Sequence, residues 1–185
     1  MATGCSALPA APAWAQAAPA SVASSLPPEE MAAWQAARLQ GSGRLTYFGL
    51  HVYDASLWVQ PGWQAERYAQ TPLLLELRYA RSLPGGRIAD RSLTEMQRSG
   101  RVGAEQGPVW LAQMKALFPD VQAGDRLTGW LLPNEGVRFF FNAQARGTVR
   151  DAVFAELFFG IWLAPTTSEP ALRAALLGTE RRPPA

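Results

Sequence analysis

The sequence predicts an α+β domain in which a large antiparallel sheet carries its helices on one face. Three observations predict it. Strand-like segments come early and late in the chain, with helical segments between and after them. Nowhere does a strand–helix–strand alternation require a parallel sheet. Finally, the stretch from Asp151 to Trp162 is apolar at helical spacing over so wide a stripe that it needs a sheet to lie on.

Met1 to Pro28 is rich in Ala, Pro and Ser and reads as lying outside the fold. Ala13-Trp14-Ala15 and Ala15-Gln16-Ala17 fit the small-x-small pattern of a signal peptidase site. The run therefore reads as a signal peptide truncated at the start, or otherwise as a disordered tail. The first reading predicts a periplasmic protein, and cleavage after Ala17 would remove Cys5. The folded domain is expected over residues 38–178, followed by a polar tail over 179–185.

Arg38 to Val59 holds two extended segments. Leu45, Tyr47, Phe48 and Leu50 belong to the first, and His51 to Val59 forms the second, ended by Pro61-Gly62. Leu73, Leu75, Leu77 and Tyr79 alternate with Leu74, Glu76, Arg78 and Ala80, which predicts a strand with one wet face. A helix follows from Arg87 to Arg98, stopped by Gly100. The next starts near Pro108 and runs to about Phe118, with Leu111, Met114, Leu117 and Phe118 as its apolar stripe. Arg126–Leu132 and Val137–Asn142 read as strands joined by the turn Pro133-Asn134-Glu135-Gly136. A short strand over 145–149 comes next. Asp151 is placed to cap the apolar helix, in which Leu157 and Phe158 should be largely buried. Ser168 is read as the cap of a last helix, stopped by Gly178.

Composition excludes several functions. The chain is 48% apolar with a net charge of +2, ample for one core and weak evidence for nucleic acid. One cysteine, Cys5, permits no internal disulfide, and with one histidine, His51, it cannot build a Cys/His zinc site. No metal and no cofactor is expected. No run of eighteen apolar residues exists to span a membrane. Arg78, Arg81, Arg87, Arg91, Arg98 and Arg101 form a basic stretch, read first as a solvated face and second as a site for an anionic ligand or surface. A monomer is expected.

The ordered motifs resemble a known family. These are G-S-G-R-L-T-Y-F-G-L-H-V-Y-D-A-S-L-W-V over 41–59 and G-D-R-L-T-G-W-L-L-P-N-E-G-V-R-F-F-F-N over 124–142. They continue through R-G-T-V, G-I-W-L and L-R-A-A-L-L-G. Together they are similar to the bacterial chalcone isomerase-like proteins. The resemblance implies a chalcone isomerase-type open-faced β-sandwich with a cleft between sheet and helices. In the plant enzymes that cleft holds a chalcone, and catalysis rests on an arginine, a threonine, a tyrosine and an asparagine. Here the arginine position falls on Leu45 and the threonine position on Tyr53. The tyrosine and asparagine positions fall near Ile88 and Glu95. Arg44 is adjacent to Leu45, but one residue along a strand points to the opposite face. Leucine cannot stabilise the anion that a guanidinium would. The resemblance thus implies the fold without the isomerase machinery.

No catalytic residue is assigned. His51 reads as an ordinary strand histidine and Asp54 as the partner of an arginine or the cap of a bend. Leu45, Tyr53 and Phe158 are the expected ligand-binding residues. Most of the aromatic residues from Phe139 to Trp162 are expected in the core, with some lining a greasy cleft. Noncatalytic plant members bind fatty acids, so the expected function is an exported, noncatalytic protein binding a small apolar ligand, fatty acid or aromatic. Two alternatives come from other classes. One is an isomerase or lyase acting on a chalcone-like enone through His51, Tyr53 and Arg44. The other is a protein-interaction module of the cell envelope.

Overall fold

The computed structural model describes residues 26–179; the expectations about the first 25 residues, including the signal peptide and Cys5, and about the tail beyond Thr179 lie outside them. Six strands form one sheet in chain order: β1 (Arg38–Tyr47), β2 (Leu50–Val59), β3 (Leu73–Tyr79), β4 (Arg126–Leu132), β5 (Gly136–Phe141) and β6 (Gln144–Val149). Every neighbouring pair is antiparallel. Between β3 and β4 lie α1 (Gly85–Gln97) and α2 (Gln106–Leu117), and after β6 come α3 (Ala152–Leu163) and α4 (Pro170–Leu177). This is the α+β arrangement that the segment order predicts.

Turn chemistry sets the hairpins. Phe48 and Gly49 have φ of 48° and 75°, a two-residue loop with both central residues left-handed. Phe48 is therefore a turn residue and Leu50 opens β2, whereas the sequence reading put both in the first strand. Apolar character alone cannot separate a strand end from an apolar turn. Asn134 has φ of 62° in the β4–β5 turn, and Asn142 and Ala143 are left-handed between β5 and β6.

The main core lies between the sheet and the helices. Ala55, Leu57 and Val59 of β2 and Leu73, Leu75 and Leu77 of β3 face it. α3 lies over β4 and β5. Gly129 leaves room for the ring of Phe159: a Cβ there would come within 3.2 Å of it. Leu157 and Phe158 are both buried, as expected.

The other face departs from expectation. Leu74 and Glu76 of β3 are buried rather than wet. A short 3-10 helix, Pro28–Trp34, straps that face, and Leu26, Trp34, Trp58, Leu74, Trp130 and Phe140 form a second, smaller cluster. Arg138 closes it, its guanidinium 5.4 Å from the Trp130 ring centre and 2.6 Å from a Glu30 carboxylate oxygen. Leu26, which reads as tail from its composition, is fully buried there, and Pro28 opens the strap. A seven-residue strap has too little periodicity to be read as structure.

Two helix details also change. In α2 the buried stripe is Trp110, Met114 and, just beyond its end, Phe118, while Leu111 and Leu117 are only partly covered. In α4 the Ser168 cap is absent. Instead Thr167 Oγ1 accepts the Glu169 N–H at 3.1 Å. Gly178 ends α4 left-handed, φ 68°, as expected.

Asp151 does more than cap. One carboxylate oxygen accepts the N–H groups of Val153 and Phe154 at 2.8 and 2.9 Å, and the other accepts Trp110 Nε1–H at 3.0 Å, tying α2 to α3. Asp151→Ala removes a cap and leaves a largely buried indole N–H unpaired. The expected loss is about 2–4 kcal/mol. Asp151→Asn keeps the cap and should lose less in thermal unfolding; equal losses would show that the cap contributes little.

Candidate functional site

A cavity of about 330 Å³ opens between β2, β3 and β4 on one side and α1 and α3 on the other. That is the lower end of small-molecule sites. Its walls are mostly apolar: Val52, Leu77, Leu127, Ile88, Phe118 and Phe158. Strand alternation and register explain the wall. Leu77 pairs with Leu127, and Tyr53 pairs with Tyr79, so the face that is aliphatic at one end becomes phenolic at the other.

The two tyrosine rings meet edge to face at 5.8 Å. Tyr53 Oη accepts the Trp162 Nε1–H at 3.0 Å, so its own proton is left to donate elsewhere. Tyr79 is 3% exposed, lines the cavity, and its hydroxyl has no hydrogen-bond partner among the described residues. Burial pushes both phenols well above their ordinary range, with the Trp162 N–H opposing only part of the shift at Tyr53. Both therefore stay protonated, each with an O–H to donate.

Chain direction places the rim. Ala80 N–H donates to Val52 O at 2.9 Å, and Arg81 emerges next, beside the β1–β2 hairpin. Arg81 and Arg87 are exposed on this rim and have no carboxylate partner among the described residues. Arg91 is engaged: its Nη2 lies 2.7 Å from Glu95, which Arg98 also approaches at 3.5 Å. Arg101 pairs with Glu156 away from this cavity. The basic stretch is thus divided between Arg91, Arg98 and Arg101, paired with carboxylates, Arg78, exposed away from the cavity, and two rim cations without carboxylate partners.

Leu45, Tyr53 and Phe158 all line this one cavity, and so do Ile88 and Glu95. Arg44 and His51 do not. Both sit on Asp54, at 2.8 and 3.1 Å, with the Arg44 side chain largely in solvent. Asp54 is therefore an ion-pair partner, one of its two expected roles. The groups on which the enone isomerase alternative depended, Arg44 and His51, lie outside the cavity. Tyr79 was missed as a site residue, because it read only as the end of an alternating strand. Its pairing with Tyr53 is a matter of register between strands, which nothing local in the sequence displays.

The sequence profile of chalcone isomerase-like proteins matches residues 22–178. The chain belongs to the chalcone isomerase-like family. Its sequence is 31% identical over 138 residues to an uncharacterised protein of Haemophilus influenzae, covering 75% of this chain and 66%, just under two thirds, of that one. Its fold matches that of a crystallised fatty-acid binding protein of Arabidopsis thaliana with a TM-score of 0.62, covering 77% of this chain and 87% of that one at 12% identity. The family fold and the open sheet under its helices agree with the motifs over 41–59 and 124–142. No helix among the described residues is long and apolar enough to cross a membrane.

Proposed function

We propose that this chalcone isomerase-like protein is a noncatalytic binding protein for a small amphipathic ligand, an acyl chain or aromatic body that ends in a carboxylate or carbonyl oxygen. The observation that carries the reading is the Tyr79 hydroxyl, on the cavity wall at the end of a 3% exposed side chain and with no hydrogen-bond partner among the described residues. A hydroxyl on a cavity wall without a protein acceptor is free to donate its proton to an oxygen that enters. A ligand oxygen received by Tyr79 and Tyr53 supplies the acceptor, while Leu77, Leu127, Phe118 and Phe158 cover the apolar body. The fatty-acid binding neighbour of the same fold supports the choice of an acyl carboxylate. Leu45, where the plant enzymes hold arginine, leaves the polar end to the tyrosines. A periplasmic site of action rests on the small-x-small pairs within Ala13–Ala17, and sequencing the mature N-terminus from the native host tests it.

The function test is calorimetric titration with dodecanoate. Tyr79→Phe removes only an unpartnered hydroxyl, so the fold should hold. A hydrogen bond to a charged group is worth about 1.5–3 kcal/mol, so affinity should fall roughly tenfold or more. An unchanged affinity takes the tyrosine pair out of the site. Absence of uptake by the wild type, together with no lipid in extracts of protein purified from its host, rejects the binding reading.

A further inference from the structure

We propose that the β1–β2 hairpin tip is a docking finger that seats the cavity mouth on an anionic lipid bilayer. Tyr47, Phe48 and Leu50 crowd this turn at 54%, 87% and 53% exposure, the densest group of exposed large apolar side chains among the described residues. Nothing in the fold asks for them. Phe48 holds φ of 48°, a conformation that glycine, asparagine or aspartate adopts more readily than a bulky residue. A smaller or polar residue there would be less strained and would expose less apolar surface. The Phe48 ring instead meets the Tyr47 ring edge to face at 4.5 Å, so the two aromatics are held together in the absence of any partner.

Tyr47 also lines the cavity, so the finger is one lip of the mouth rather than a distant patch. Two further features select a lipid surface. Arg81 and Arg87 sit on the same rim without carboxylate partners, whereas the nearby acids Asp54 and Glu95 are already held by Arg44 and His51 and by Arg91 and Arg98. Glu169 is the remaining rim carboxylate. Aromatic side chains settle at the headgroup boundary, and unpaired cations beside them are drawn to anionic headgroups. The second feature is shape. A protruding two-residue turn offers far less than the roughly 800 Å² per partner of a stable protein interface, but suits insertion between headgroups. A mouth opening at the bilayer would let an apolar ligand pass without crossing water. The docking itself is measured without ligand, so it stands or falls separately from ligand binding.

The experiment is co-sedimentation of the full chain with vesicles of phosphatidylcholine alone and of phosphatidylcholine with one-third phosphatidylglycerol. The wild type should partition to the anionic vesicles. Phe48→Gly suits the backbone, so the melting temperature should hold or rise while partitioning falls about tenfold, the scale of one large side chain leaving an apolar environment. The double variant Arg81→Gln, Arg87→Gln should lose most of its preference for anionic over neutral vesicles and flatten the salt dependence. A wild type that stays in the supernatant, or a Phe48→Gly variant that binds as well as wild type, overturns the proposal. So does self-association in sedimentation velocity that Phe48→Gly abolishes without any vesicle binding, which would assign the tip to a second copy of the chain.

Discussion

Phe158→Ala is expected to cost about 3–5 kcal/mol, the range for emptying a buried aromatic site. The ring is 5% exposed and stands at the centre of an aromatic group. It stacks on Phe154 at 5.5 Å and meets Phe139, Trp162 and Phe118 at 5.2, 5.5 and 6.2 Å. Each neighbour loses contacts when it goes, and such pairs add about 0.5–1.5 kcal/mol beyond burial. For a domain of this length the melting temperature should fall by about 10 °C, at 2–4 °C per kcal/mol. The sequence reading makes Phe158 both a largely buried position and a ligand-binding residue. The contacts show that it is core and cavity wall at once. Leu157→Ala is the control. Its side chain is equally buried but lines no part of the main cavity, so it should cost about 2–5 kcal/mol without a direct effect on binding. Phe158→Leu keeps much of the apolar volume and separates the roles: it should destabilise clearly less than Phe158→Ala while dodecanoate affinity falls. A melting temperature for Phe158→Ala within a degree or two of wild type would remove the ring from the core.

Residues that interact with their own neighbours in sequence were legible, and those that interact across the fold were not. The period of two in β3 and β5, the turn at Pro133–Gly136 and the Asp151 cap each depend on a few adjacent residues. The α3 stripe is of the same kind, because its apolar positions recur within one helix. The wet face assigned to β3 failed because what covers Leu74 is the strap around Trp34, some forty residues away. Tyr53 was found through a motif position, yet its partners Tyr79 and Trp162 come from a register and a helix docking that no local pattern encodes. The arginine stretch shows the same limit. Spacing alone could not tell Arg91, held by Glu95, from Arg81 and Arg87, which face the rim without a partner. The G-S-G segment at 41–43 served the sequence reading only as a mark of resemblance, because its physical reason lies on α4.

That reason yields the second large effect: Gly41→Val should destabilise the protein by about 3 kcal/mol or more. α4 packs directly on the edge strand β1, and a Cβ at Gly41 would stand 2.2 Å from Ala175 O and 2.6 Å from Leu176 O. Both obstacles are backbone carbonyls, so no rotamer change relieves the overlap and the helix itself must lift. Gly43 meets side chains instead, Ala175 Cβ at 2.7 Å and Leu172 Cδ1 at 2.8 Å, where some repacking is available. Gly43→Ala should accordingly cost less than Gly41→Ala. Lifting α4 also strains the Gln40 Nε2–H bond to Leu177 O, 2.7 Å long, and drags on Ser168 and Glu169, which border the cavity just before the helix. The loss should therefore appear twice, as a lower unfolding midpoint in urea and as faster hydrogen exchange along β1 and α4 in the native state. If Gly41→Val unfolds outright, Gly41→Ala carries the same measurement at smaller amplitude. A Gly41→Ala protein as stable as wild type, with β1 and α4 exchanging at native rates, would show that the strand and helix do not pack at this distance.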